Sequence, residues 1–324
     1  MWLNGLILLA LVALIVLFGW LAWRAWHASR AWVKWVGGPL SSLPGLLWVA
    51  VFALMMVGLY RMNKAPYSYS LANVQAKMMP DQIAAGERYA HICTECHSSR
   101  DSLPLDGGQE NFLADTPMGG VLYAPNLTPG GPLKDWTDGE ILRAIREGVD
   151  KDGRPLVIMP SSIFHNLSDA DALALVAYLR SQPAVDRPLP KRNLSPLAAI
   201  FIAMDSSIVS AQAPIVAPIT TPPPGTLAYG EYLVSSSGCR ECHGADLSGM
   251  VGDNSLPPGP NLTVLVPKWS EQDFLAVFNT GLDPQGKAIS ADMPWKSYRQ
   301  MYTDEQLKDL YHYLHELAPL ASPQ

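Results

Sequence analysis

Two short stretches, CTECH at residues 93–97 and CRECH at residues 239–243, share one arrangement. Each has two cysteines separated by two residues, and a histidine directly follows the second cysteine. The chain of 324 residues has four cysteines, and all four lie in these two stretches. On a short helix, positions i and i+3 lie on one face, so both cysteines of a pair can reach the same group. The sequence therefore contains two copies of one candidate binding element.

A Cys-x-x-Cys pair alone has three common interpretations: half of a zinc site, a redox dithiol, or an attachment point for haem. The added histidine is the signature of c-type haem attachment. A zinc site needs four ligands, and pooling four cysteines into one site would leave both histidines unexplained. The motifs predict two covalently bound haem c groups, with zinc and redox dithiol as the alternatives. The predicted binding residues are Cys93, Cys96 and His97 in the first motif and Cys239, Cys242 and His243 in the second.

The N-terminal region has two uncharged apolar runs, residues 3–23 and 43–60, of 21 and 18 residues. A helix that crosses a bilayer needs about 20 apolar residues. A cleaved signal peptide has basic residues before its apolar stretch and a small-residue cleavage site after it, and we see neither in MWLN or WRAWHASR. We therefore predict two retained transmembrane helices within an anchor of residues 1–64. A pair of buried core helices is the alternative.

The basic residues near these runs predict a topology. Arg24, Arg30 and Lys34 lie between the runs, whereas the N-terminal tail has no Lys or Arg. Because basic loops stay in the cytoplasm, both outer ends are expected on the far side of the membrane. Arg61 and Lys64 give a weaker signal in the opposite direction. We expect a multi-pass protein of a bacterial cytoplasmic membrane with its remaining domains on the periplasmic, extracytoplasmic side.

The charge of the chain beyond the anchor is strongly negative. Residues 1–64 contain five of the 23 Lys and Arg and none of the 29 Asp and Glu, so the rest has a formal charge of −11. Nucleic-acid binding needs a basic footprint and is therefore excluded as an expected function. A basic partner surface would be attracted to this charge. The alternative is that the acidic residues only keep the domain soluble.

The chain beyond the anchor contains one pattern twice. Both copies have a Gly-Glu helix start before the cysteine motif, a PNLT stretch after it, a capped amphipathic helix, a Met-Pro pair and a final helix. WTDGEILRAIREG and WSEQDFLAVFNTG both have an N-cap residue, an acidic residue three positions later and a closing glycine. The first copy has an extra loop after its motif, SSRDSLPLDGGQENFLADTPMGG at residues 98–120. No stretch alternates as a strand would, so the predicted fold class is all-α.

This repeat divides the chain into predicted domains. They are residues 65–182, a proline-rich linker at residues 183–225, and residues 226–324. Proline-rich segments act as semi-rigid spacers. The linker contains one apolar patch at residues 197–204, which is too short to span a membrane. We expect that patch to pack across the junction of the two domains.

Methionines of the Met-Pro pairs are candidates for the second axial ligand of each iron. Met159 lies 62 residues after His97 and Met293 lies 50 after His243, at the same place in the repeat. The residue before proline favours extended backbone, which helps to fix a side chain that projects from a loop. Predicted metal ligands are therefore His97, Met159, His243 and Met293. The rivals are His165, for the first iron, and three methionines without counterparts in the other copy: Met118, Met250 and Met301.

The prolines of the two PNLT stretches, Pro125 and Pro260, have two possible roles. A ligating histidine usually donates its second ring N–H to a carbonyl, which fixes the ring orientation. The proline carbonyl after each motif could accept that bond. The alternative is that each proline only forms a turn.

The order helix, CxxCH, loop, PNLT, helix, Met-Pro, helix resembles class I cytochrome c over residues 82–182 and 226–319. The stretches GERYAHICTECHS, APNLTPG and LSDADALALVAYLRS more closely resemble the cytochrome subunit of membrane-bound alcohol and gluconate dehydrogenases. The resemblance implies thioether bonds at all four cysteines and the axial pairs His97/Met159 and His243/Met293. That family usually has three haems and a C-terminal anchor, whereas this chain has two motifs and an N-terminal anchor. Its layout also resembles the di-haem subunit of cbb-type oxidases.

These patterns together predict an electron-transfer protein rather than an enzyme. The expected function is a membrane-anchored di-haem cytochrome that transfers electrons between a membrane dehydrogenase or quinol-oxidising complex and a downstream acceptor. Its expected partners are redox proteins of a membrane respiratory complex and membrane lipid. The sequence has no Ser/His/Asp arrangement, phosphate loop or carboxylate pair for catalysis. Alternatives are the di-haem subunit of a terminal oxidase and a di-haem peroxidase with one open iron.

Overall fold

The structure is a computed structural model that describes residues 2–251 and 258–323. The helices, in chain order, are α1 (Trp2–Trp26), α2 (Gly38–Asn63), α3 (Pro80–His97), α4 (Asp138–Glu147), α5 (Ser161–Phe164), α6 (Asp169–Ser181), α7 (Pro196–Met204), α8 (Leu227–Ser236), α9 (Cys239–His243), α10 (Leu262–Leu265), α11 (Glu271–Thr280), α12 (Trp295–Met301) and α13 (Asp304–His315). Strands β1 (Gly120–Val121) and β2 (Asn193–Leu194) pair antiparallel. The described chain is mostly helical, as predicted, and its only ladder is this short pair.

Helices α1 and α2 pack against each other, with Gly45 of α2 close to Phe18 of α1. Two segments, Gly5–Trp26 and Val33–Asn63, are long and apolar enough to cross a membrane, and few of their side chains are buried. The helices that contain the predicted spans of 3–23 and 43–60 extend beyond them, since α1 ends at Trp26 and α2 covers Gly38–Asn63. Arg24 lies in the last turn of α1, and Lys34 lies in a π-helical turn that runs into α2. Both basic residues are good helix formers, so the helices continue past them.

The two repeat copies each have one close helix crossing through a glycine. Helix α3 crosses α6 at Gly86, where an added Cβ would lie 1.9 Å from the carbonyl oxygen of Ala174. Helix α8 crosses α13 at Gly230, where an added Cβ would lie 2.5 Å from the carbonyl oxygen of Asp309. Any larger residue would force these helices apart. The Gly-Glu starts found in the sequence therefore mark the packing of the first and last helix of each copy.

The predicted helix ends are confirmed at the middle helix of each copy. In both α4 and α11 the N-cap side chain accepts a backbone N–H, and the acidic residue three positions later accepts the N-cap N–H. Both helices then end on a glycine with positive φ, a conformation that other residues adopt only with strain. The residues are Thr137, Glu140 and Gly148 (φ 66°) in the first copy and Ser270, Asp273 and Gly281 (φ 69°) in the second.

Residues 183–225 are not a spacer, which corrects the sequence prediction. Arg187 donates hydrogen bonds to the carbonyls of Asp106, Gly107 and Gly108, and strand β2 pairs with β1 of the extra loop. Further along, the backbone N–H of Gln212 donates to the carbonyl of Glu147. A proline-rich composition predicts stiffness but not the hydrogen-bond partners of the segment. This segment is folded along the surface of the first copy.

The prediction that residues 197–204 pack across the domain junction was wrong. They form α7, which packs against α2. At the crossing, an added Cβ on Gly58 would lie 1.6 Å from the carbonyl oxygen of Ala199. The guanidinium of Arg61 donates to the carbonyls of Ile202 and Ala203 at 3.2 and 2.9 Å. Helix α7 is therefore joined to an N-terminal helix, and it belongs to a different hydrophobic cluster from the described core residues of the second copy.

The junction of the two copies is formed by the short helices that follow each Met-Pro pair. Helix α12 packs on α3, and α5 packs on α8. Ile163 of α5 lies against Gly238, and Ser297 of α12 donates a hydrogen bond to Glu95. The contacts are thus reciprocal, because each short helix touches the motif helix region of the other copy. A single hydrophobic cluster extends through both copies.

Tyr232 joins the copies through buried hydrogen bonds and provides a test of the junction. Its hydroxyl donates to the carboxylate of Asp171 and accepts from the backbone N–H of Ser168 at 3.1 Å. We expect Tyr232→Phe to lower the free energy of unfolding by about 1–3 kcal/mol, because the buried N–H of Ser168 loses its acceptor and the Asp171 carboxylate loses one of its donors. The measurement is denaturant unfolding of the purified protein. Tyr229→Phe, which removes a bond to Gln306 within the second copy, is the control.

The pH dependence of this effect follows from the tyrosine pKa. Burial, followed by the nearby Asp171 carboxylate, raises the pKa of Tyr232 above its ordinary value. Because the folded protein holds the tyrosine proton more tightly than the unfolded chain does, the full stability contribution of Tyr232 is present below about pH 10. It is lost as the pH rises from there through the folded-state pKa. The stability difference between wild type and Tyr232→Phe should stay constant near neutral pH and shrink above about pH 10. Equal stability of the two proteins at neutral pH would contradict this role.

Candidate functional site

The two cysteine-histidine motifs lie on helices, as their spacing requires. The first occupies the last turn of α3, and the second forms the whole of α9. His97 and His243 are buried, with 8% and 7% of their surfaces exposed. Cysteines at i and i+3 therefore lie beside a buried imidazole in both copies.

Both histidine rings are oriented by the same backbone contact. Nδ1 of His97 lies 2.9 Å from the carbonyl oxygen of Pro125, and Nδ1 of His243 lies 2.8 Å from that of Pro260. A carbonyl can only accept, so Nδ1 must be the protonated nitrogen and Nε2 keeps its lone pair. Burial lowers the pKa of both histidines, which favours the neutral ring that binds metals. The proposed hydrogen-bond role of the two prolines is confirmed.

A glycine lies directly against each motif, which the sequence analysis did not identify. An added Cβ on Gly108 would lie 2.6 Å from the carbonyl oxygen of Cys96, and one on Gly259 would lie 2.5 Å from that of Cys242. Backbone N–H groups of Gly107 and Gly249 donate to the carbonyls of the motif histidines at 2.8 Å. These contacts close a tight loop around each motif. The glycines that follow each motif in the sequence are the signal from which these close contacts could have been predicted.

The side chains of Cys93, His97 and Met159 line one cavity in the first copy. Residues of the last turn of α3 and of the loop before α5 therefore share one cavity. The remaining walls of the cavity are apolar: Leu127, Ile145, Phe164, Leu175 and Leu179. Cys96, the other cysteine of the motif, is exposed and lies outside the lining. Such a donor set in apolar surroundings suits a flat, largely apolar metal-containing group.

Met293 has the same local backbone as Met159. The residue two positions after each methionine donates its N–H to the methionine carbonyl at 2.8 Å, across Pro160 or Pro294. This is the three-residue turn typical of a segment that reverses direction before a helix. Met293 is half-buried against the common hydrophobic cluster. The assignment of Met293 to His243 therefore rests on its equivalence to Met159.

The rival ligands have other contacts in the structure. His165, the alternative for the first iron, has its Nδ1 2.9 Å from the carbonyl of Arg146 and lies outside the lining of the cavity. Met301 is buried in the hydrophobic cluster of the two copies. Met118 packs with a second cluster, the α2–α7 cluster, which contains Met55 of α2 and Ala199 of α7. His165 and Met118 therefore lie outside the lining of the first cavity, and Met301 belongs to the hydrophobic core, whereas Met250 stays a rival for the second iron.

The thiols do not fit the two alternative interpretations. Redox dithiols need a thiol of lowered pKa, but burial raises the pKa of Cys93 to about 12 and raises it for the other three cysteines. Among residues 2–251 and 258–323, no three His, Cys, Asp or Glu side chains converge as a metal site. The residues present fit haem c: thiols for attachment, an oriented neutral imidazole and, in the first copy, a methionine that lines the same cavity.

Comparison with known proteins agrees with this site. Residues 227–318 match the family model described as Cytochrome c, so this part of the chain is a cytochrome c domain. Over 60–72% of its length, the chain is distantly homologous to cytochrome subunits of dehydrogenases. It is 27% identical over 272 residues to the cytochrome c subunit of alcohol dehydrogenase (quinone) from Gluconacetobacter polyoxogenes, which covers 72% of this chain and 54% of the relative.

Two further relatives extend the similarity. A nicotinate dehydrogenase subunit of Pseudomonas putida is 30% identical over 320 residues, which covers 88% of this chain and 25% of the relative. The fructose dehydrogenase cytochrome subunit of Gluconobacter japonicus is 29% identical over 220 residues, which covers 60% of this chain and 44% of the relative. The chain thus spans between a quarter and about half of the length of these relatives.

Proposed function

We propose that the protein is a membrane-anchored di-haem cytochrome c that transfers electrons on the extracytoplasmic side. The observation that carries this proposal is the double occurrence of a buried histidine oriented by a proline carbonyl beside two cysteines. When bound, haem c supplies a reversible one-electron couple. The chain attaches it through Cys93, Cys96, Cys239 and Cys242, orients His97 and His243, and excludes water with apolar walls. The sixth ligands in this proposal are Met159 and Met293.

The packing of the N-terminal helices supports retained anchors rather than a cleaved signal peptide. Met55 and Met62 of α2 are buried in a cluster with α7 and with Leu113 and Leu122 of the first copy. The guanidinium of Arg192 also donates to the carbonyl of Met62 at 3.1 Å. Cleavage after α2 would expose these apolar side chains to water and cost the corresponding burial energy. The two helices therefore belong to the mature protein in this proposal.

The junction of the copies supports electron transfer within one rigid unit. Each short helix that follows a Met-Pro pair contacts the motif region of the other copy, so both motifs are held by one continuous core. A rigid junction fixes the separation of the two binding sites without a domain movement. The 65–182 and 226–324 units are proposed as two cytochrome domains that work as a pair.

The donor proposed for this chain is a membrane dehydrogenase. Three relatives are named as cytochrome subunits of alcohol or fructose dehydrogenases, and the formal charge of −11 beyond residue 64 suits a basic partner surface. A quinol-oxidising complex is the alternative donor. The alternative assembly is a terminal oxidase, of which this chain would be the di-haem subunit. The peroxidase alternative needs one iron without a sixth ligand, and at the first copy this is disfavoured because Met159 lines the cavity.

The proposal is tested by reconstituting the full-length protein in vesicles with a candidate dehydrogenase. Visible absorbance of the haem bands is followed after addition of the substrate of that dehydrogenase or of a quinol. Reduction of two haems per chain by one of these donors is the expected result. A chain that gives no haem absorbance, or that turns over peroxide faster than it accepts electrons, would overturn the proposal.

A ligand exchange at the first site gives a second prediction. Methionine ligation raises the reduction potential of haem iron compared with histidine ligation. We expect Met159→His to lower the midpoint potential of one haem only, and Met293→His to lower that of the other. A redox titration monitored at the haem bands measures both midpoints. Met118→His, at a methionine that packs with the α2–α7 cluster, is the control that should leave both potentials unchanged. An unchanged titration in Met159→His would refute this ligand.

A further inference from the structure

Helix α7 has apolar side chains on all of its faces. Residues 196–204 read PLAAIFIAM, without one charged or polar side chain. Ala198, Ala199 and Ile202 form the inner face and are buried against α2 and the extra loop of the first copy. A helix that is apolar all round is normally buried on every side. Here only one side is covered by protein.

The outer face of α7 is exposed in the structure. Leu197 and Met204 have 46% and 72% of their surfaces exposed, and Ile200 and Phe201 between them are half-buried. These four residues follow helical spacing and make one continuous stripe. A contiguous apolar surface of this kind marks a binding surface for another apolar phase or partner.

The position of α7 on α2 identifies that apolar phase. The crossing is at Gly58, five residues before the end of α2 and inside the segment Val33–Asn63 that is long enough to span a membrane. Leu11, from the middle of α1, belongs to the same cluster. The exposed side chains of Met56 and Val57 on α2 are neighbours of the crossing in sequence. The stripe on α7 therefore continues the apolar surface of the two N-terminal helices.

The ends of α7 are built for an apolar environment. The hydroxyl of Ser195 accepts hydrogen bonds from the N–H groups of Leu197 and Ala198, and Arg61 donates to the carbonyls of Ile202 and Ala203. In lipid, backbone groups without partners cost several kcal/mol, so helix ends must be satisfied by protein. Both ends of α7 have such partners.

We propose that the outer face of α7 lies among the lipid acyl chains of the extracytoplasmic leaflet, as a third membrane contact of this protein. The inference rests on the proposed anchoring by α1 and α2. Its consequence is that the first cytochrome unit has a fixed orientation at the membrane surface, because α7 is folded into that unit and into α2 at once. The two CxxCH motifs, at residues 93–97 and 239–243, would then lie at a defined height above the bilayer.

The test uses single spin labels in the full-length, haem-loaded protein reconstituted in phosphatidylcholine vesicles. Leu197→Cys and Met204→Cys report α7, Met56→Cys reports the proposed span, and Val216→Cys, at a side chain that is 94% exposed, reports water. Power-saturation measurements compare collisions with oxygen and with a water-soluble nickel chelate. We expect the α7 labels to resemble the Met56 label, with chelate accessibility severalfold below that of the Val216 label.

The reference labels separate failure of this inference from failure of the anchoring proposal. Chelate access at Leu197 and Met204 with protection at Met56 would overturn the lipid contact and leave the anchor intact. Chelate access at all four positions would overturn both. Wild type treated with the same spin label sets the background from the native cysteines, which are blocked by thioether bonds in the loaded protein.

Discussion

Replacing both cysteines of one motif with alanine is expected to remove one of the two covalently bound haems and to leave the other. The thioether bonds need both thiols, and each motif has its own buried histidine and its own proline carbonyl. Cys93→Ala/Cys96→Ala should therefore lose the first haem, and Cys239→Ala/Cys242→Ala the second. The haem content per chain, measured as the pyridine haemochrome, should fall by half in each variant.

The control for this experiment changes the motif without touching its cysteines or histidine. Glu241→Ala alters an intervening residue of CRECH and should keep both haems, because that side chain is not required for attachment. Haem staining of the denatured polypeptide distinguishes covalent from dissociable haem. Two haems that persist in a double-alanine variant, or a wild-type chain without haem stain, would contradict two c-type sites.

Local features of the site were predictable from the sequence because short-range chemistry determines them. A capping box needs only Thr137 and Glu140, three positions apart on the same helix, and the structure has it. The proline carbonyl near each motif histidine follows from the spacing of the PNLT stretches and from the need of a ligating imidazole for a second partner. Repetition of the pattern strengthened each of these predictions.

Long-range packing was not predictable in the same way. Helix α7 was expected at the domain junction because it is apolar and must be buried. Its composition does not say which part of the chain covers it. Its partner is Gly58, 141 positions before Ala199, and this contact depends on the absence of a side chain on α2. Likewise, the junction contacts of Ile163 and Ser297 depend on the relative orientation of two domains. No local pattern in the chain specifies either arrangement.

The contact between α2 and α7 leads to the second large prediction, Gly58→Leu. The Cβ of any side chain at this position would lie 1.6 Å from the carbonyl oxygen of Ala199, which is backbone and cannot rotate away. We expect α7 to separate from α2 and the free energy of unfolding to fall by about 3 kcal/mol or more. The measurement is the rate of trypsin cleavage after the exposed Lys191, a few residues before α7, together with thermal unfolding in detergent.

Gly19→Leu is the matched control, because Gly19 lies in α1 and an added Cβ there meets no atom within 4 Å. Both substitutions replace glycine by leucine inside an apolar helix, so both gain about 1 kcal/mol of helix propensity and the same apolar surface. Only the variant at Gly58 meets the backbone of α7. Faster cleavage and a lower unfolding temperature in Gly58→Leu alone would therefore measure the docking of α7. Equal behaviour of the two variants would mean that the first copy does not depend on α2 for its structure, and a tether at the membrane would then replace the fixed orientation.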